Sequence, residues 1–281
     1  MSYKILRKEK LNDTVVRMDI LAPMVARHAK PGQFIVLRVD EEGERIPLTI
    51  YKTSGEIVSI IYQIVGYTTM KLDQKQVGDE ILTFVGPLGK ASNLDGYKNA
   101  LVIGGGVGSA IAYPIARGFK ELESNVDVLL GFRSKDLVIL EDEFKDIAND
   151  LYIYTDDGSY KEKGFVTSGL EKLVSSGKKY DVCFVVGPII MMKNISLLTK
   201  KYGIKTIVSM NPLMIDGTGM CGCCRVTVDG KMKFACIDGP DFDGHLVDYD
   251  ELMTRNKMYF DIEKRKREVG CNLFRGINDG K

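Results

Sequence analysis

Four of the six cysteines of this chain lie in one short segment, Asp216–Cys236, which reads DGTGMCGCCRVTVDGKMKFAC. Glycines at 217, 219 and 222 separate its first ligand-capable side chains. Cys221-x2-Cys224 then enters an alternating apolar hairpin pattern, Arg225–Ala235, that returns Cys236. Glycines let a backbone turn sharply and approach closely. The segment therefore reads as a loop that wraps something and a strand pair that closes it. Sulfurs presented in this way can share a zinc ion, a disulfide framework or an iron–sulfur cluster.

At 281 residues the chain has room for two domains and a small third. Apolar content of 44% and charged content of 27% are ordinary for a globular protein. A net charge of +1 gives no electrostatic case for nucleic acid or an anionic membrane. The opening MSYKILRKEK lacks the apolar core of a signal peptide. The longest apolar runs, Leu101–Ala116 and Cys183–Met192, are too short or too rich in glycine to span a bilayer. These features predict a cytoplasmic protein, where clustered cysteines more often bind metal than form disulfides.

Residues 1–96 read as all-β. Val15–Ile20, Gln33–Val39, Glu56–Val65 and Glu80–Val85 are β-rich and separated by turn signals, a pattern that predicts a small antiparallel barrel. Residues 97–210 change texture. Strands are expected at Asn99–Ile103, Val126–Phe132, Leu151–Thr155, Val182–Val186 and Lys205–Ser209. Helices are expected after Gly108 through Glu123, and at Glu141–Ala148, Phe165–Ser175 and Ile189–Lys201. This alternation implies βαβ units around a parallel sheet. The cysteine module follows at 211–248. A charged helix over Tyr249–Lys266 and an irregular tail complete 249–281.

ALVIGGGVGSA places a glycine-rich turn between a strand and a helix, where backbone amides and the helix N-terminus can hold a pyrophosphate. Ser109 stands where G-x-G-x-x-G has its third glycine, and no carboxylate ends the next strand. The strict dinucleotide fingerprint therefore fails, and a tight turn without a ligand is the plain alternative. Thr155-Asp-Asp-Gly-Ser159 and Gly187-Pro188 follow later strands, and ligands of open α/β sheets bind beyond such ends. In the first region Arg45 could fork onto a phosphate, and Thr49 could offer a hydroxyl to a ring edge. Thr68 or Thr69 could cap a helix after Gly66 and donate to a second phosphate.

The order RxPLT, GYTT, GPLG, GGGVG, GP-x-x-MMK and a cysteine loop resembles the flavin-binding electron-transfer subunits related to ferredoxin–NADP reductase. That family includes the electron-transfer subunit of dihydroorotate dehydrogenase and the small (alpha) subunit of NADH-dependent ferredoxin:NADP oxidoreductase. The resemblance covers residues 3–250. It implies a β-barrel FAD domain, an α/β parallel-sheet nucleotide domain and a small C-terminal iron–sulfur module. Arg45, Pro47, Leu48 and Thr49 match the flavin motif, and Gly66, Thr68 and Thr69 the phosphate motif. Gly105, Gly106, Val107 and Gly108, with Asp157 and Gly187, match the NAD(H) site. It also implies a [2Fe–2S] cluster.

Relatives of the dihydroorotate dehydrogenase type resemble C-x4-C-x2-C plus a later cysteine. Here the pattern is Asp216-x4-Cys221-x2-Cys224-x11-Cys236, which resembles the ferredoxin:NADP oxidoreductase small subunits. A carboxylate donates less charge to iron than a thiolate, so it should shift the potential. Cys223 and Cys224 are adjacent and cannot both easily face one iron, so Cys224 is the expected ligand. Cys183 reads as a small buried hydrophobe, Cys271 has no assigned role, and His28 and His245 read as structural or surface residues. The resemblance further implies hydride exchange between NAD(H) and the flavin, with single electrons passing through the iron centre. No catalytic acid or base is expected. The implied partner is a larger flavin and [4Fe–4S] subunit in a heterodimer that performs electron bifurcation. Arg133 and Lys135 could read a 2′-phosphate. The rival readings are a subunit of dihydroorotate dehydrogenase, hydrogenase or sulfite reductase, or a non-catalytic zinc module on a reductase fold.

Overall fold

A computed structural model describes residues 3–258, 261–262 and 264–265. The first seven strands are β1 (Tyr3–Lys10), β2 (Val15–Leu21), β3 (Phe34–Arg38), β4 (Ile46–Ser54), β5 (Ile57–Gln63), β6 (Glu80–Ile81) and β7 (Thr83–Leu88). They form one antiparallel sheet in the order β6-β1-β2-β5-β4-β3-β7, curled as a half-barrel. Two short helices attach to it, α1 (Pro23–His28) and α2 (Tyr67–Gln74). Its core is aliphatic: Val16, Met18, Ile20, Ile35, Leu37, Val58 and Ile60 are almost wholly enclosed. They follow from period-two alternation along β2, β3 and β5, which sends every second side chain inward.

The second sheet contains β8 (Asn99–Gly105), β9 (Asn125–Phe132), β10 (Asp150–Thr155), β11 (Glu162–Lys163), β12 (Val182–Val186) and β13 (Lys205–Ser209). All six run parallel. Four helices cover it: α3 (Gly108–Glu121), α4 (Glu141–Lys145), α5 (Val166–Ser175) and α6 (Ile189–Tyr202). Strands enclosed on both faces need continuous apolar runs. Ala100–Gly105 and Val182–Val186 are accordingly buried at every position. A hairpin, β14 (Arg225–Val228) and β15 (Lys231–Phe234), carries the cysteines. The strand β16 (Asp241–Asp243) then joins the parallel sheet antiparallel to β13. Helix α7 (Tyr249–Asn256) follows, capped by the Asp248 carboxylate, which accepts from the Glu251 amide at 2.9 Å.

The fold agrees with the sequence reading in its classes and departs from it in several elements. Strand β1 and helix α1 were not expected. Only Ile5 of β1 is buried, so its charged alternation gives no core signal. Helix α4 ends at Lys145 rather than Ala148. The expected helix Tyr249–Lys266 forms over Tyr249–Asn256, with a turn at 257–258 and helical residues at 261–262 and 264–265. Lys266, Cys271 and the rest of the tail lie outside the described residues.

The two sheets share a core. Val15, Tyr51 and Ile61 of the half-barrel pack with Tyr113 and Ala116 of α3 and Phe144 of α4. The Tyr51 and Tyr113 rings stand 4.9 Å apart between centroids, and Tyr113 meets Phe144 edge-on at 5.4 Å. Arg17 lies over the Tyr51 ring at 5.7 Å. Such aromatic contacts add to simple burial. Replacing Tyr51 with Ala should therefore cost about 3–5 kcal/mol. Urea denaturation should show a lower midpoint, with the half-barrel and the parallel sheet no longer unfolding together.

Candidate functional site

The parallel sheet grows outward from β8 in both directions, with β9, β10 and β11 on one side and β12, β13 and β16 on the other. The loops that leave β8 and β12 therefore emerge side by side, at the place where open α/β sheets bind ligands. A Cβ at Gly108 would lie 2.6 Å from the Val186 carbonyl oxygen and 2.9 Å from the Gly187 Cα. Those neighbours are backbone and cannot yield. A Cβ at Gly187 would in turn lie 2.5 Å from Met191 Cε and 3.2 Å from Gly105 Cα. The two glycine loops thus touch through their main chains. The Gly106 amide donates to the Gly131 carbonyl at 2.8 Å, which ties the loop to the end of β9. Val107 offers α3 no side-chain cap, so the start of that helix presents uncapped backbone. Behind it the Ser109 hydroxyl is fully buried without a partner.

Asp157 lies apart from this contact. Its carboxylate accepts from the Ser159 amide at 2.9 Å and the Ser159 hydroxyl at 2.7 Å, and these bonds hold its pKa below the usual range. It shapes its own turn. Lys135 rests its ammonium over the Tyr160 ring at 5.4 Å.

On the half-barrel, Pro47, Leu48 and Thr49 lie in β4 opposite Val36, Ile35 and Phe34 of β3. Arg45 precedes them. Its Nε is buried with no partner, and its Nη2 donates to the Asp216 carbonyl at 3.3 Å. A part-buried guanidinium whose enclosed Nε lacks a partner can receive an anion. Gly66 is the N-cap of α2, and neither threonine takes that position. Instead the Thr69 hydroxyl oxygen accepts from the Val65 and Gly66 amides, each at 3.0 Å, and its proton goes to the Gly66 carbonyl at 2.9 Å. Thr69 therefore folds the turn, and Thr68 is buried beside it. Lys71 of α2 pairs with Asp40 at 2.8 Å, which draws α2 toward the loop that leads to Arg45.

The cysteine loop sits on the half-barrel. Cys224, Cys236, Met214 and Ala235 form a small core with Phe34 and Val36 of β3, and Leu88 and Phe234 flank it. Gly217 adopts φ +84°, and a Cβ there would lie 2.8 Å from Leu88 Cδ1 and 3.0 Å from Val36 Cγ2. Cys224 and Cys236 are buried with their sulfurs 3.1 Å apart. Burial and Cys224 push the Cys236 thiol up to about 12, against the pull of the Gly219 amide. Cys221 is exposed, and its thiol is lowered by the Cys223 amide, with help from those of Asp216 and Ile215. Asp216 Oδ2 accepts from the Thr218 amide at 3.0 Å, the Met220 amide at 3.3 Å and the Thr218 hydroxyl.

Among the described residues no three His, Cys, Asp or Glu side chains gather as a group that could hold a metal ion. The sulfurs lie in two pairs, Cys221 with Cys223 and Cys224 with Cys236. A two-iron cluster takes its protein ligands two to an iron, whereas zinc wants four donors around one point. The Cys224–Cys236 pair suits one iron of such a cluster, while the partner of Cys221 here, Cys223, is not among the expected ligands. The five described cysteines are all free thiols. Cys183 is fully buried in β12, as expected of a small hydrophobe.

Residues 211–248 match the family model described as the iron-sulfur cluster binding domain of dihydroorotate dehydrogenase B. A Thermotoga maritima protein named dihydroorotate dehydrogenase B (NAD(+)), electron transfer subunit homolog, is 48% identical over 263 residues, covering 93% of each chain. A Fusobacterium nucleatum electron transfer subunit of that enzyme is 34% identical, covering 80% of this chain and 89% of its own. The chain belongs to this electron-transfer subunit family. A solved structure of NADH-dependent reduced ferredoxin-NADP oxidoreductase superposes with a TM-score of 0.90 at 44% identity, covering 98% of both chains. An Amycolatopsis cytochrome P450 reductase superposes with a TM-score of 0.62 at 22% identity, which extends the likeness to the reductase fold.

Two residues of the site carry no sequence signal. Asp241 of β16 accepts from Ser92, in the segment linking the half-barrel to the second sheet, and burial pushes its carboxyl up to about 6. Arg255 of α7 reaches the cysteine loop, donating to the Cys223 carbonyl at 3.1 Å. Neither contact follows from spacing, because each partner lies far away in the chain. The Gly217 geometry is directly testable. A Gly217→Ala variant should lose about 1–2 kcal/mol from its left-handed backbone alone, and more from the contact with Leu88. Its melting temperature and its iron content after anaerobic purification should both fall.

Proposed function

We propose that this chain is the FAD- and [2Fe–2S]-bearing subunit of a heterodimeric oxidoreductase, exchanging hydride with NAD(H) and passing single electrons to a larger flavoprotein with [4Fe–4S] clusters. The reaction would be ferredoxin:NADP+ transhydrogenation by electron bifurcation. The observation that carries this reading is the seam at Arg45. One guanidinium begins the strand suited to a flavin, keeps its buried Nε free and holds the backbone of Asp216 in the cysteine loop. Sites for a flavin and an iron centre thus share a wall. In this reading residues 1–96 are the flavin unit, 97–210 the nucleotide unit, 211–248 the cluster module, and 249–281 a C-terminal helix and tail.

The FAD supplies conversion between two-electron hydride chemistry and one-electron transfer, and the cluster carries single electrons. The chain's own residues bind and orient. Arg45 and the turn before α2, with Gly66, Thr68 and Thr69, hold flavin phosphates. Pro47, Leu48 and Thr49 line the ring side. Gly105, Gly106, Val107 and Gly108, next to Gly187, leave room for a dinucleotide at the start of α3, with Asp157 shaping a flanking turn. Asp216, Cys221, Cys224 and Cys236 hold the iron. Leu213, Ile215, Met220 and Ile237, all exposed, rim that loop and suit a partner surface. Among the described residues no helix is long and apolar enough to cross a membrane, and the free thiols suit the cytoplasm.

A second reading, the electron-transfer subunit of a dihydroorotate dehydrogenase, has the matched domain in its favour. Asp216 in the first ligand position weighs against it.

Anaerobic purification of the full chain from its natural host tests the proposal. Flavin, iron and acid-labile sulfide should co-purify with a larger subunit, and NADH should bleach the flavin. Colourless, iron-free protein would overturn it. Replacing Arg45 with Met should lower the flavin content well below stoichiometric. Replacing Asp216 with Cys should keep the cluster and move its reduction potential, as read by redox titration.

A further inference from the structure

Cys223 and Cys224 are adjacent thiols, yet they face opposite ways. Cys224 is buried, 2% exposed, against Cys236. Cys223 is partly exposed and lines a cavity with Pro212, Leu213, Arg225, Leu252 and Arg255. Which of the two turns inward depends on the peptide planes that flank them. Those planes are held from outside the loop. Arg255 Nη2 donates to the Cys223 carbonyl at 3.1 Å, and its Nη1 donates to the Arg225 carbonyl at 2.7 Å. One planar fork therefore grips the backbone on both sides of Cys224. Arg225 completes the set by donating to the Gly222 carbonyl at 3.1 Å.

The fork is itself anchored. Lys193 of α6 binds both oxygens of Asp250 in α7, at 2.7 and 2.8 Å. The Tyr249 hydroxyl meets Ser196 of α6 at 2.8 Å and donates to the Gly244 carbonyl at 2.9 Å. The helix that carries Arg255 thus rests on the parallel sheet's own covering layer, and the cysteine loop borrows that rigidity.

We infer that Arg255 is a positioning residue that selects Cys224 over Cys223 as the thiol presented to the iron centre. The inference rests on the cluster reading given above. A guanidinium suits the task because its donors are fixed in one plane, so engaging two carbonyls fixes their relative orientation. An ammonium is a single point with rotatable donors and cannot do the same. Without the fork the Cys223–Cys224 peptide loses its outside anchor while the Cys224 carbonyl stays bound to the Ala235 amide at 3.0 Å, and the Cys223 sulfur can compete for the place beside Cys236.

The test compares the full-length chain, prepared without oxygen, with Arg255→Met, Arg255→Lys, Cys223→Ser and the double variant Arg255→Met/Cys223→Ser. Iron and sulfide are assayed, and the dithionite-reduced cluster is examined by electron paramagnetic resonance. The unaltered chain and Cys223→Ser should give the same single reduced signal. Arg255→Met should give two overlapping signals and a several-fold faster loss of iron to a chelator. Arg255→Lys, which keeps the charge and most of the packing, should give the same mixture in smaller proportion. In the double variant the second signal should vanish, because the competing thiol is gone. A merely structural role for Arg255 would weaken the cluster without making the spectrum depend on Cys223. An unaltered spectrum in both Arg255 variants, or a mixture that survives Cys223→Ser, overturns the inference and leaves the cluster standing. Iron-free unaltered protein would instead overturn the cluster reading and this inference with it.

Discussion

The seating of the cysteine loop on β3 is the contact on which the functional arrangement depends. Phe34 and Val36 supply an apolar floor, Leu88 closes one side, and Cys224 and Cys236 fill what remains. The loop has no regular secondary structure of its own before β14, so its shape comes from this floor, from left-handed glycines and from borrowed hydrogen bonds. Arg45 adds a polar tie from the half-barrel to the Asp216 backbone. Enclosing the Arg45 Nε without a partner is costly. The proposed flavin phosphate would offset that cost.

The parallel sheet serves the site in a different way. It places two glycine loops in main-chain contact at the point where strand addition changes direction, between β8 and β12. Backbone approaches backbone closely there, with the Met191 side chain packed against Gly105 and Gly187. Helix α6 starts at one of those loops and holds α7 along its flank through Lys193 and Ser196. Two helices therefore connect the glycine crevice to the cysteine loop, alongside the more direct route through the half-barrel.

Much of this was legible in the chain. The parallel strands announce themselves because burial on both faces leaves no polar position, as at Val182–Val186. The cysteine spacing limits the chemistry to a few centres. Other features were hidden for physical reasons. Strand β1 is charged along its exposed side, so nothing in its composition separates it from a loop. Thr69 reads in the sequence as a helix cap or phosphate donor, and packing shows that its hydroxyl also closes the turn before its own helix. The pairings of Arg45 with Asp216 and of Arg255 with Cys223 join distant parts of the chain. No local pattern encodes them, and they appear only once packing has brought the pieces together.

The thiols of the loop differ in acidity, and the difference has a chemical consequence. Metal ligation removes a proton from each cysteine it uses. Cys221, with three amides turned toward it, gives up its proton readily, whereas Cys236 in its apolar seat holds on. In the proposed iron centre the outer sulfur would lose its proton more easily than the inner one. Were Cys236 an iron ligand, as proposed, alkaline conditions would ease its deprotonation and acid would oppose it.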